Sequence, residues 1–181
     1  MLVIVVPGVE DWDEQKEEFV PAKPPVTLQL EHSLISLSRW ESKWEKPFLS
    51  KEAKTVEETI DYIRCMTLNS GVSPDVYKRL TSQNLRDVNA YIDAKCSATT
   101  IREEKTGSRS TEIVTSELIY YWMVASNIPF ECQKWHLNRL LTLIRVCSIK
   151  NQPPKKMGRR NTMKQNAALN AARRQRAHSK G

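Results

Sequence analysis

The residues that could bind a metal ion are few and poorly spaced for it. Cys132 and His136 stand four residues apart in a segment with helical periodicity, and Cys147 follows about four turns after Cys132. Zinc takes about four ligands at close range, often from paired cysteines or histidines. The chain has no Cys-x-x-Cys pair and no second Cys/His pair. A packed helix explains these side chains better, so we expect no metal and no cofactor.

The residues that could act as bases or nucleophiles also form no recognised catalytic pattern. The histidines are His32, His136 and His178, and the last of these lies close to the end of the chain. There is no Gly-x-Ser-x-Gly elbow and no glycine-rich phosphate loop. Five glycines in 181 residues leave little room for backbone to approach a ligand closely. The sequence therefore predicts a protein that binds something and is not an enzyme.

The strongest binding signal is a basic C-terminal segment, residues 150–181. It holds ten of the 28 basic residues and no acidic residue, so the other 18 basic residues stand against 21 acidic ones. A slightly acidic body thus carries a strongly basic tail. The candidate partner-binding residues of this tail are Lys155, Lys156, Arg159, Arg160, Lys164, Leu169, Arg173, Arg174 and Arg176.

Three interpretations of the tail stay open. It is a solvated terminus without a dedicated partner, a segment that docks on an acidic protein surface, or a non-specific nucleic-acid contact. In the second case Leu169 and the neighbouring alanines would form the apolar side of an induced helix. In the third case phosphate binding would weaken steeply with salt. The tail has no aromatic residue to stack on bases, so single-strand or sequence-specific reading is poorly supported.

Two tryptophans in a charged helix are the second binding candidate. Trp40 and Trp44 lie among Arg39, Glu41, Lys43, Glu45 and Lys46. Tryptophans in such a setting are often interface anchors. They also cover the edge of a core, with lysine stems laid over them. Both interpretations stay open.

The elements that position these residues begin with strands. Residues 2–6 are apolar and residues 26–30 alternate, which predicts two strands that pair as an antiparallel ribbon. The opening run meets Pro7 and Gly8 and lacks a basic flank, so it is interpreted as a strand rather than a signal peptide. The acidic residues 11–18 predict a surface turn or short helix, and Pro21, Pro24 and Pro25 predict a loop.

Helices follow from residue 33 onward, each with a start signal. The expected starts are Ser33, the capping box Thr55–Glu58, Ser73-Pro74-Asp75, Ser82 and Thr115. The second helix should turn Ile60, Ile63 and Met66 inward, with Tyr62 at one edge. Residues 95–115 predict an exposed hairpin or mobile loop. A last body helix over residues 130–149 is the longest and most apolar, and with residues 117–125 it should form the centre of the core.

These elements predict a mainly α (α+β) fold. The compact helical bundle body, residues 1–149, has a short N-terminal β-ribbon, and residues 150–181 form a basic, flexible tail that is disordered or becomes helical on binding. No apolar run approaches the length of a membrane span. Three of the four cysteines lie in segments with amphipathic helical patterns, so we expect reduced core thiols of a cytoplasmic protein rather than two disulfides.

Three segments resemble small proteins of tailed bacteriophages of Gram-positive hosts. They are LEHSLISLSRWESKWEKPFL at 30–49, PFECQKWHLNRLLTLIRVC at 129–147 and ALNAARRQRAHSKG at 168–181. The resemblance implies a tail assembly chaperone or a neighbouring tail morphogenesis factor in the host cytoplasm. It implies a tape measure-like structural protein as partner, and it transfers no residue roles. A nucleic-acid-binding accessory protein and a virion component such as a connector are the alternatives, and an oligomer is possible.

Overall fold

A computed structural model describes residues 1–14, 17–101, 112–152 and 159–177. Within these ranges it has four strands, seven α-helices and one 3-10 turn. The chain divides into two compact units, Met1–Ser148 and Ile149–Gly181. The mainly α (α+β) prediction is confirmed.

The bounds of the elements are as follows. The strands are β1 Leu2–Val6, β2 Val9–Asp13, β3 Glu18–Lys23 and β4 Val26–Leu30. The helices are α1 Leu34–Trp44, α2 Val56–Met66, α3 Pro74–Lys78, α4 Ser82–Asp93, α5 Ser116–Ala125, α6 Leu137–Asn151 and α7 Arg159–Arg176, with the 3-10 turn Phe130–Lys134 between α5 and α6.

The predicted ribbon is confirmed as the antiparallel pair of β1 and β4. Leu2 lies opposite Leu30 and Val6 lies opposite Val26. Because successive side chains point to opposite faces, one face of this ribbon turns apolar residues into the core. Those residues are Ile4, Val6, Leu28 and Leu30.

A second ribbon replaces the turn or short helix predicted for residues 11–18. Strands β2 and β3 pair with each other as a separate two-stranded sheet, and Pro21 lies within β3 rather than in a loop. Aspartate and glutamate are depleted in strands, which is why the acidic sequence predicted otherwise. Gly8 is required where this ribbon leaves β1, since a Cβ there would lie 2.5 Å from the Lys23 carbonyl oxygen.

The helix starts at Ser33 and Thr55 are confirmed as capping boxes. The Ser33 hydroxyl accepts from the Ser36 amide at the start of α1, and the Thr55 hydroxyl accepts from the Glu58 amide at the start of α2. Tyr62 is fully buried in α2 and does not lie at its edge. Its hydroxyl lies 2.6 Å from His32 Nδ1, and that hydrogen bond is what lets a phenol enter the core.

The continuous helix predicted over residues 130–149 is wrong. The 3-10 turn ends at Lys134, Trp135 is extended, and α6 begins at Leu137. A β-bridge between His136 and Ser33 and a 2.7 Å bond from the Leu137 amide to the His32 carbonyl hold the chain at the break. Tertiary bonding therefore overrides the local helical pattern.

The core has two clusters, and α1 contributes to both of them. Trp40 packs in the cluster of the β1–β4 ribbon and α2, whereas Leu34 and Leu37 pack with α5 and α6. The prediction that α5 and the last body helix form the core's centre is therefore incomplete. They form the second cluster, and α1 is the wall that the two clusters share.

The connection between α4 and α5 was predicted to be an exposed hairpin or mobile loop. Residues 95–101 and 112–115 carry neither helix nor strand, and the middle of the predicted hairpin or loop, residues 102–111, lies outside the described residues. The cap at Thr115 is confirmed, since its hydroxyl accepts from the Leu118 amide.

The C-terminal unit contains the last three residues of α6 and the 18-residue helix α7. All its described side chains from Met163 to Arg176 are exposed, including Leu169 at 53%.

Within the described residues, no helix has the length and apolar character of a membrane span.

Candidate partner-binding surfaces

Trp40 is a core residue in the structure. Only 1% of it is exposed, and its ring packs edge to face against Phe48 with centroids 5.1 Å apart. Its Nε1 donates to the Glu58 carbonyl oxygen at 2.9 Å, so the indole N–H is satisfied inside the protein. The interface interpretation of Trp40 is therefore corrected, because a partner has no access to this side chain.

Trp44 is half-buried at the edge of the same cluster, stacked on Trp40 with centroids 6.1 Å apart. Its Nε1 donates to Asp61 Oδ2 at 3.0 Å, and Asp61 also pairs with Lys43. The Lys43 ammonium lies 5.4 Å from the centre of the Trp44 ring. This is the arrangement of a core-edge tryptophan with a lysine laid over it.

The charges around the two tryptophans are also committed to internal contacts. Lys46 Nζ lies 2.7 Å from Glu58 Oε1, and the Thr55 amide donates to Glu58 Oε2 at 2.8 Å. The bond to Lys46 and the bond from Thr55 hold the pKa of Glu58 below its usual value, and the same carboxylate raises the pKa of Lys46. The Lys46–Glu58 ion pair therefore links the loop after α1 to α2.

Beside this cluster lies an open groove that sequence reasoning missed. It encloses about 520 Å³ between α2 and α3, with Val56, Ile60 and Tyr77 among its apolar lining and Arg64 and Lys78 among its charged lining. Val56 on its rim is 76% exposed. The sequence carries no signal for the groove, because its lining comes from separate segments that only the fold brings together.

The tail residues are placed by α7. Lys164, Leu169, Arg173, Arg174 and Arg176 lie on this helix with exposed side chains. Arg159 and Arg160 form its first turn, but their side chains, like Lys155 and Lys156 as a whole, lie outside the described part of the chain. At 100° per residue, Leu169, Arg173 and Arg176 share one side, and Lys164 lies on the opposite side.

Cys132 and His136 do not form a shared helical face, because the break before α6 separates them. His136 Nε2 donates to the Tyr91 carbonyl oxygen at 2.9 Å, and its Nδ1 accepts from the Asn138 amide at 3.3 Å. Both ring nitrogens are thus occupied by protein groups. Among the described residues, no three His, Cys, Asp or Glu side chains are grouped to hold a metal ion.

All four cysteines are free thiols, as the sequence predicts. Cys132 is buried, whereas Cys65 and Cys147 are half-buried, and burial raises the pKa of the Cys65 thiol. Cys96 is exposed after α4, in the segment that the sequence predicts to be exposed.

The first two segments that carry the phage resemblance meet in the fold. Residues 30–49 form the end of β4 and α1, and residues 129–147 form the 3-10 turn and most of α6. They join where Ser33 bridges His136, and Leu34 and Leu37 of the first segment pack with Leu137 and Leu140 of the second in the second core cluster. The third segment, residues 168–181, includes the second half of α7.

Comparisons of the chain with protein-family models, with curated proteins and with solved structures found no match.

Proposed function

We propose that the protein is a non-enzymatic phage morphogenesis factor that holds a tail structural protein during assembly in the host cytoplasm. One structural observation carries the proposal: from Met163 to Arg176, α7 exposes every side chain, and all its charged residues are basic. The resemblance of residues 30–49, 129–147 and 168–181 to tail morphogenesis proteins supplies the biological setting.

The helix α7 suits a partner with an acidic, partly apolar helical surface. From Met163 to Arg176 this helix packs none of its side chains into a core, so contact with a partner would stabilise it by packing. Leu169, Arg173 and Arg176 present one apolar and two cationic groups on the same side of the helix. Tape measure-like proteins, as long helical chains, offer such surfaces repeatedly, which favours them as the class of partner.

The groove between α2 and α3 supplies a second contact of a different kind. Val56 is exposed on its rim, Ile60 is half-buried and the buried Tyr77 lies beneath, and apolar grooves take the apolar face of a helix. In this proposal the partner binds the basic helix α7 through charged groups and the groove of the body through apolar groups.

The test is isolation of the tagged full-length protein from infected cells after nuclease treatment, followed by identification of everything retained. We expect a long helical tail protein that remains bound after a salt wash. Absence of every phage structural protein from the retained material would overturn the proposal.

Nucleic-acid binding is the second candidate, and the distribution of charge around α7 favours it. Lys164 lies on the side opposite Arg173, so cations could reach phosphates on both sides of a groove. Affinity for duplex DNA should then fall with salt, with a logarithmic slope of about −0.9 for each phosphate contacted. Binding that is unchanged when Lys164 and Arg173 are both replaced by glutamine would exclude this candidate.

A further inference from the structure

The β2–β3 hairpin stands outside both core clusters and carries two exposed aromatic side chains. None of its described side chains belongs to either cluster. Trp12 is 52% exposed and Phe19 is 65% exposed. They lie opposite each other across the two strands, edge to face, with ring centroids 5.0 Å apart. A paired tryptophan and phenylalanine on an otherwise unsupported ribbon is the composition of an interface anchor.

The hairpin is also strongly acidic. Residues 9–23 contain six acidic and two basic residues. The carboxylates of Glu10, Asp11, Glu14 and Glu17 belong to exposed residues. Lys23 is already paired, since its Nζ lies 2.6 Å from Asp75 Oδ2. Glu10 is two residues from Trp12 in the same strand, so both side chains point to one face of the ribbon.

Carboxylates beside an exposed tryptophan match the chemistry of arginine. A guanidinium group forms charge-assisted hydrogen bonds with carboxylates and stacks on the face of an indole. An aliphatic side chain between two arginines would fill the space over Trp12 and Phe19. The surface thus fits an arginine-rich helix that has one large apolar residue on the same side.

The chain itself contains such a helix. In α7, Leu169, Arg173 and Arg176 lie on one side and are all exposed. Its 18 residues extend about 27 Å, longer than the roughly 17–20 Å of a hairpin strand, so the helix can lie along the whole hairpin. We propose that the β2–β3 hairpin of one copy binds α7 of a second copy.

This contact uses different surfaces on the two copies, so each copy keeps one free hairpin or one free helix. Such heterologous contacts extend into rings or open chains. The inference concerns the purified protein alone and does not depend on the identity of any phage partner. A partner that takes the same side of α7 would compete with it, and binding of that partner would release monomers.

The experiment is sedimentation velocity of the full-length, nucleic-acid-free protein over a range of concentrations at low and high salt. The expected result is a mass that rises with concentration at low salt and returns to that of the monomer at high salt. The variants Glu10→Arg/Glu14→Arg and Arg173→Glu/Arg176→Glu should each weaken self-association by about tenfold or more. The single variants Asp93→Lys and Lys164→Glu, which alter exposed charges away from the two surfaces, should associate as the wild type does.

The deciding step is to mix the two double variants. In the mixture, each reversed surface meets an oppositely charged surface of the other variant, so association should return although neither variant associates alone. Mixing that restores nothing would overturn the proposal. A mass that stays monomeric at every concentration would also overturn it, including the case in which the hairpin and helix meet within a single chain.

If the hairpin variant is monomeric but still retains a phage protein from infected cells, the self-association and the proposed function are separate properties. If the wild type self-associates and the two double variants do not, while the wild type retains no phage protein, only the proposed function fails.

Discussion

The rings of His32 and His136 pack edge to face inside the body, with centroids 5.1 Å apart. They lie where the connection between β4 and α1 meets the start of α6. His136 Nε2 donates to the Tyr91 carbonyl oxygen and its Nδ1 accepts from the Asn138 amide, so both ring nitrogens bond within the body. Burial, and then the neighbouring His136, lower the pKa of His32 to about 4. A buried histidine whose pKa is lowered therefore lies where β4, α1 and the start of α6 meet.

Acidification should destabilise the protein through His32. Its pKa falls from an ordinary value of 6.5 to about 4 on folding, so between these values the unfolded chain binds the extra proton. The stability is therefore complete above about pH 6.5 and declines as the pH falls towards 4, by about 3 kcal/mol at most. Chemical denaturation at a series of pH values checks this.

The variant His32→Asn provides the control for that pH dependence. It should be less stable than the wild type at neutral pH, because the bond to Tyr62 is altered, and its stability should depend less on pH between 4 and 6.5. An unchanged pH slope in this variant would show that another group is responsible.

Trp40→Ala should destabilise the fold by about 3–5 kcal/mol, because it empties a core position and leaves the Glu58 carbonyl without its donor. Trp44→Phe should cost about 1 kcal/mol, since it removes one bond to the partly exposed Asp61 pair. Denaturant midpoints measure both effects. A Trp40→Ala protein of wild-type stability would contradict the core placement.

Glu41 should be the most sensitive charged residue of α1. It is 7% exposed, its Oε1 accepts from the Phe48 amide at 2.8 Å, and its Oε2 accepts from the Ser116 amide at 2.7 Å at the start of α5. Glu41→Gln keeps the shape but turns a donor towards one of these N–H groups, so we expect a loss of about 1–3 kcal/mol. Glu45→Gln, in an exposed position one turn further on, is the matched control and should change the stability little.

Local signals predicted the parts of the fold that local bonds create. The caps at Ser33 and Thr55 depend on residues three positions away, and the β1–β4 ribbon follows from alternation along each strand. The break before α6 could not be predicted in this way, because it depends on the bridge between Ser33 and His136, which are distant in the sequence.

In the candidate binding surfaces, too, features set by local sequence were predictable and features set by distant contacts were not. Trp40 is buried with its indole N–H bonded to the Glu58 carbonyl oxygen, 18 residues away. Local composition could not predict this bond, so the sequence did not decide between a buried and an exposed Trp40. The β2–β3 hairpin was missed because its carboxylates disfavour strands, and only the cross-strand contact of Trp12 and Phe19 makes it recognisable. The basic helix was predictable, since alanine and arginine favour helix and no acidic residue interrupts the charge.

The central claim is that one side of α7 holds a tail structural protein, and comparison of charge-neutralising variants on that helix tests it most directly. Tagged wild type, Arg173→Gln/Arg176→Gln and the opposite-side variant Lys164→Gln are isolated from infected cells at the same salt concentration, and the retained phage proteins are quantified. We expect the double variant to lose most of the structural protein while Lys164→Gln retains it. Equal retention by all three proteins would contradict the claim.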